Sequence, residues 1–157
     1  MIELDYSNLI KISTEHGLNK SDIDAAFGKI KSFHQQIDDR NQGFYRSIDD
    51  GDLINKIETY ATEISGKYED IVVLGIGGSA LGTICIQQTL KHLFENELEE
   101  REYPRLHVLD NIDPALIRAI EDIIDYEKTL FIVVTKSGTT PETIAQYLYF
   151  KQKSSNF

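Results

Sequence analysis

The stretch Ile71-Val72-Val73-Leu74-Gly75-Ile76-Gly77-Gly78-Ser79-Ala80-Leu81-Gly82 joins a short apolar run, rich in β-branched residues, to a glycine cluster and a helical pattern. An apolar run of this length without alternation marks a strand buried on both faces, as in a parallel sheet. The glycines allow a tight turn and a close approach of backbone to a ligand, while Ser79 can cap the next helix or offer its hydroxyl to an anion. Taken alone, Gly75-x-Gly77-x-x-Ala80 also fits a dinucleotide-binding fingerprint with alanine in last place.

Downstream, the helix predicted from about Ser79 to Phe94 runs into the acidic stretch Glu95 to Glu102, which reads as a solvated helix end and loop. Leu106 to Leu109 is a second predicted strand, followed by the turn Asp110 to Pro114 and a helix carrying Leu116, Ala119, Ile120, Ile123 and Ile124. Leu130 to Val134 is a third, ending in Thr135 to Thr140 before Pro141 opens a helix at the position where a missing N–H costs least. Upstream, Ile23, Phe27, Ile30, Phe33 and Ile37 form one helical stripe with Ser21 as N-cap. The polar break from Asp39 to Gly51 embeds Phe44 and Tyr45, expected to pack onto the domain. Leu53, Ile54, Ile57, Tyr60, Ala61 and Ile64 form a second stripe stopped by Gly66.

The predicted order is two helices followed by βαβαβα, an α/β class with a doubly wound parallel sheet, right-handed crossovers and helices on both faces. The expected division is an amino-terminal helical segment, residues 1–66, packing on the core, and a sheet domain, residues 67–157. A three-stranded sheet whose last helix has no following strand leaves apolar surface uncovered, so the expectation is the amino-terminal piece of a longer protein.

Composition narrows the function. The 157 residues, 41% of them apolar, suffice for one core, and no apolar run nears the roughly 20 residues of a membrane span. Met1 to Leu9 has neither a basic region nor an apolar core of a secretory signal, and a single cysteine, Cys85, excludes an intramolecular disulfide or a cysteine-rich zinc site. A reducing cytoplasm is the expected location. Cys85 is expected to face the core of its helix. The histidines, His16, His34, His92 and His107, are not spaced as metal ligands, so no metal is expected. Sixteen basic against 26 acidic residues, a net charge of −10, disfavour nucleic acid and anionic lipid as partners. A small phosphorylated ligand held at one helix terminus remains compatible with that charge.

Such a terminus is present. Thr135-Lys136-Ser137-Gly138-Thr139-Thr140-Pro141-Glu142-Thr143 sets hydroxyls and an ammonium ahead of the partial positive charge of a helix start. A phosphate monoester dianion needs several convergent donors, and this turn supplies them. Thr140 is also expected to cap the helix, with Pro141 at its first position. Asp110 stands where a dinucleotide-binding protein would place a ribose carboxylate, or it belongs to an Asx-type turn with Asn111 and Asp113.

Together, Gly75 to Gly82 and Lys136 to Thr143, in this order and on successive strand ends, resemble the glucose-6-phosphate isomerase family, and Asn111-Ile112-Asp113-Pro114 resembles that family's second-strand turn. The resemblance runs from about Ile71 to Gln146. It implies a sugar-isomerase domain of flavodoxin-like type in a homodimeric cytosolic enzyme that needs no cofactor, acting on a hexose phosphate in glycolysis and gluconeogenesis. It implies phosphate-binding roles for Gly78, Ser79, Thr135, Lys136, Ser137, Thr139 and Thr140. Thr135 departs from the serine common in the family; Gly138 follows the bacterial pattern. The family's reaction passes through an enediol and needs a carboxylate base and ring-opening groups, which lie in later parts of a longer chain. No catalytic residue is therefore assigned, and the segment alone is expected to be inactive. Two alternatives share parts of the pattern: a phosphosugar-binding regulatory module and a dinucleotide-binding oxidoreductase domain.

Overall fold

Three β-branched, apolar segments pair in register to build the sheet: β1 (Asp70–Leu74), β2 (Arg105–Leu109) and β3 (Thr129–Val133). They are parallel, in the order β2-β1-β3, with Leu74 opposite both Leu109 and Val133. The computed structural model describes residues 5–13 and 15–157, without the side chains of Lys31 and Tyr45. It divides into a unit ending at Glu58 and a unit from Thr59 to Phe157 that holds the sheet.

In the first unit, α1 (Ser7–Lys11) precedes α2 (Lys20–Asp39), and α3 (Gly43–Arg46) and a single 3₁₀ turn lead to α4 (Gly51–Ile64), which runs on into the second unit. The stripe of α2 is present, but Ser21 lies inside the helix: Asn19, in extended backbone, holds the cap position. Phe44 does not pack as expected. It is 69% exposed, because the break around it folds into the short turn of α3, too short to turn its side chain into a core. The side chain of Tyr45 lies outside the described residues. Gly66, at φ +73°, ends α4 in the left-handed conformation expected of it.

In the second unit, α5 (Gly78–Leu90) follows β1, α6 (Pro114–Glu121) follows β2, and α7 (Pro141–Lys151) follows β3. α5 stops four residues short of the expected Phe94, and α6 ends before Ile123 and Ile124. Val72, Leu74, Leu109, Phe131 and Phe150 form the core, with Leu116, Ile117, Ile120, Ile124 and Tyr126 packed against it. Val73 and Leu130, which alternation directs to the opposite face, are also buried, so β1 has the two covered faces that its unbroken apolar run requires. Cys85 is exposed, contrary to expectation. Ala80, Ile84 and Gln87 set the inward face of α5, and Cys85 lies about 140° around the helix from Ala80. No helix among the described residues is long and apolar enough to cross a membrane.

Two polar clusters hold elements together away from the strand ends that carry the loops. Asp70, fully buried at the start of β1, accepts from Arg105 Nη2 at 2.6 Å and pairs with His107 Nε2 at 2.9 Å, binding β1 to β2. Glu121 at the end of α6 accepts from Tyr126 (2.6 Å), Tyr149 (3.0 Å) and Lys153, which joins α6, the 3₁₀ turn before β3 and the end of α7. The edge of β2 is closed by a side chain: Asn96 accepts from the Leu106 N–H (3.0 Å) and donates to its carbonyl (2.9 Å), as a neighbouring strand would.

Replacing Asp70 with Ala leaves the half-buried Arg105 guanidinium uncompensated and the buried His107 ring nitrogen without its partner, and we expect a loss of about 3–5 kcal/mol in urea unfolding; a loss below about 1 kcal/mol would remove the cluster from the account of stability. Burial pushes the Glu121 carboxyl up, but the hydrogen bonds from Lys153, Tyr126 and Tyr149 outweigh it and hold it below the usual range. Its stabilising contribution is therefore present above the ordinary carboxylate pKa and lost as pH falls through the lowered one. Thermal melts of Glu121→Gln should lie below wild type at neutral pH, with the gap closing in acid.

Candidate functional site

The strand order decides where a ligand can sit. The connection from β1 runs to β2 on one side, and the next returns across β1 to β3 on the other, so the chain reverses direction between β1 and β3. Ligands of open parallel sheets bind outside the carboxyl ends of the strands at such a reversal. Both motif loops leave from these two ends. The Val134 N–H donates to the Leu74 carbonyl at 2.9 Å, which fixes the start of the hydroxyl loop beside the start of the glycine loop.

The glycine loop is shaped by contact. A Cβ on Gly75 would stand 3.0 Å from both Cβ and the carbonyl oxygen of Ser79, so a side chain at residue 75 would force the first turn of α5 to give by a few tenths of an ångström where it folds back over the strand end. Gly77 is the N-cap of α5 at φ +58°, ψ −121°, backbone that a side chain would strain. Ser79 therefore lies inside the helix and does not cap it. Gly78 is exposed and Ser79 half-buried.

In the hydroxyl loop Thr135, Lys136, Ser137, Gly138 and Thr139 are exposed and Thr140 is half-buried. Their hydroxyls bond locally: Thr135 Oγ1 accepts from the Gly138 N–H (3.1 Å), Ser137 Oγ accepts from the Thr139 N–H (3.3 Å), and Ser137 Oγ lies 2.9 Å from Thr139 Oγ1. Thr140 holds the N-cap position of α7, but its side chain makes no capping bond, contrary to expectation. Thr135 and Ser137 serve the turn's amides instead, and the first turn of α7 keeps its N–H groups without a side-chain acceptor. The site thus presents an ammonium, hydroxyls and a helix N-terminus along one open bend.

Of the other residues considered, Asp113 Oδ1 caps α6 by accepting from the Ala115 N–H at 2.8 Å, and Asp110 is exposed at the end of β2. His107 is taken up by Asp70, away from the loops. Among the described residues no group of three His, Cys, Asp or Glu side chains is placed to hold a metal ion. Sequence reasoning missed Gln146, fully buried on α7, whose Nε2 donates to the carbonyls of Leu109 and Asn111 at 3.0 Å each. The signal was available: Thr143, Gln146 and Phe150 share one inward helical face, and a polar side chain there needs partners.

A family model described as phosphoglucose isomerase matches residues 20–153. The chain belongs to the phosphoglucose isomerase family. The glucose-6-phosphate isomerase of Carboxydothermus hydrogenoformans is 36% identical over 155 residues, covering 94% of this chain and 33% of the relative. That of Rubrobacter xylanophilus is 34% identical over 151 residues, covering 96% and 34%. This chain therefore spans about a third of the length of these phosphoglucose isomerase relatives. The crystal structure of a glucose-6-phosphate isomerase from Chlamydia trachomatis superposes with a TM-score of 0.50 at 33% identity, over 60% of this chain and 17% of that one. Both motif loops lie within the matched family segment.

Adding a methyl at Gly75 tests the loop's geometry. Gly75→Ala should destabilise the chain by about 1–3 kcal/mol, as overpacking does, and shift the backbone amide resonances of residues 76–79. An unperturbed spectrum would mean that the turn does not depend on this contact.

Proposed function

We propose that this chain supplies the sugar-phosphate-binding part of a glucose-6-phosphate isomerase, an enzyme that interconverts glucose 6-phosphate and fructose 6-phosphate through an enediol. The observation that carries the reading is the pairing of the two loops: the glycine turn and the hydroxyl bend start from hydrogen-bonded neighbours, Leu74 and Val134. Gly78, Ser79, Thr135, Lys136, Ser137, Thr139 and Thr140 take the phosphate. Its oxygens replace the local bonds that the hydroxyls make with one another, so Ser137 and Thr139 turn outward without leaving a buried polar group unsatisfied. Lys136 adds a compact charge, and the amino end of α7 adds its partial charge. The net charge of −10 is overcome locally by these fixed donors.

The chemistry itself requires a carboxylate that moves a proton between C1 and C2 and groups that open the sugar ring. None of the seven binding residues is such a group, so residues 1–157 bind without turning over. In the complete enzyme, a cytoplasmic homodimer on this reading, the proton-transfer groups come from the rest of the protein. Residues 1–66 form the helical segment and residues 67–157 the phosphosugar-binding domain, whose sheet is completed as a three-layer, doubly wound structure. The edge of β3 that faces away from β1 supports that completion: its Phe131 N–H already donates to the Asn156 carbonyl at 2.9 Å, so the chain after α7 runs where a further strand would lie.

Two outcomes are expected. The purified 157-residue chain binds glucose 6-phosphate in isothermal titration but gives no fructose 6-phosphate in a coupled assay; turnover by this chain contradicts the division of labour. Ser137→Ala and Thr140→Ala each weaken binding by on the order of tenfold, the effect of one hydrogen bond to a charged group. Unchanged affinity in the double variant would remove the hydroxyl bend from the site.

A further inference from the structure

We propose that Gln146 is a positioning residue that sets the spacing of the two phosphate-binding loops. The inference rests on the reading of those loops as the sugar-phosphate site. The Gln146 Nε2 donates to two carbonyls at the carboxyl end of β2, Leu109 and Asn111, at 3.0 Å each. The Leu109 carbonyl also accepts from the Gly75 N–H at 3.3 Å, the first residue of the glycine loop. One oxygen therefore joins the glycine loop to the helix that begins with the hydroxyl loop. Thr140, the N-cap of α7, precedes Gln146 by six residues, a rise of about 9 Å along the helix. A slide or roll of α7 moves the hydroxyl loop with it, and the Gln146 amide is what resists that movement at the β2 end. On the β3 side, the Val134 to Leu74 bond does the same for the other end of the loop.

The chemistry of the side chain separates this role from plain packing. Gln146 is 1% exposed, and its Oε1 is buried with no partner, a group that costs stability where it stands. Thr143 and Phe150, on the same face of α7, already bury that helix against the sheet domain. A methionine would fill the volume of residue 146 without an unsatisfied oxygen. What only the amide supplies is a two-pronged donor to carbonyls two residues apart, which fixes α7 in register with the end of β2.

The test uses the 157-residue chain as wild type, Gln146→Met and Gln146→Asn, each titrated with glucose 6-phosphate well below its melting temperature after circular dichroism has established that it is folded. Wild type should bind. Gln146→Met should bind at least tenfold more weakly, with the amide resonances of Gly75 and of residues 135–140 displaced before ligand is added. Gln146→Asn, which keeps the amide on a shorter arm, should fall between the two. A purely structural role predicts lower melting temperatures with unchanged affinity and unmoved loop resonances, and that result would overturn the proposal while leaving the reading of the site intact. If Gln146→Met does not fold, the affinity of Gln146→Asn decides alone. Absence of binding by wild type would overturn both this proposal and the site on which it rests.

Discussion

Everything proposed for this chain depends on β1 lying between β2 and β3 in parallel register. That arrangement places the Leu74 carbonyl opposite the Val134 N–H and the Leu109 carbonyl opposite the Gly75 N–H, so three chain reversals start within one hydrogen-bonded row. Parallel pairing cannot be made by a tight hairpin and needs a helical crossover between strands. The crossover helix α5 leaves β1 and α7 leaves β3, so both have their amino ends at this row. Two helix amino termini are thereby brought to one place, which neither loop could achieve as an isolated peptide.

The two ends of the sheet do different work, and their polar groups are handled differently. Towards the amino ends, Asp70, Arg105 and His107 are buried or half-buried and bonded to one another across two strands. A carboxylate in that position is stable because the Arg105 guanidinium and the His107 ring are held against it by the same register that aligns β1 with β2. At the carboxyl ends, the hydroxyls of Thr135, Ser137 and Thr139 are exposed and bonded only to their own turn. Such bonds are exchanged for bonds to a ligand at little cost, since water can take either partner in the meantime. Rigidity below and replaceable bonds above are what a preorganised anion site requires.

The sheet was legible because the apolar runs at Ile71 to Leu74, Leu106 to Leu109 and Leu130 to Val134 are short, β-branched and bounded by turn residues, and each lies within one residue of the observed strand. What was not legible is charged or long-range. Asp70 and Arg105 open their strands, yet a carboxylate and a guanidinium at a strand boundary read as solvent until the register shows them facing one another, 35 residues apart in sequence. Asn96 sits in a run of glutamates that reads as a solvated loop, and only the position of Leu106 shows that its amide completes an edge. The rotational phase of α5 had the same difficulty: its apolar residues are spread around the helix, so the sequence does not say which side Ala80 buries, and Cys85 fell on the wrong one. The loops of the candidate site were readable as types of group; the partners of Ser79 and Thr140 were not, because capping competes with local bonds whose geometry the sequence does not contain.

A bend that bonds its own amides through Thr135 and Ser137 is already near the shape in which those amides converge, with Gly138 at φ +70° supplying the reversal. Under the proposed function, ligand binding requires rotation of hydroxyl side chains and no refolding of backbone, so the ordering entropy that weakens flexible anion sites is largely spent on folding. On the proposed reading, the same reasoning reconciles a dianionic ligand with ten excess negative charges: repulsion from charges farther off than a Debye length of about 10 Å is largely screened, whereas donors fixed at hydrogen-bond distance act well inside it. The affinity of such a site would be governed by how well the sheet holds the two loops at their spacing, and on the proposed reading this makes the bonds at Leu74 and Leu109 part of the binding energy.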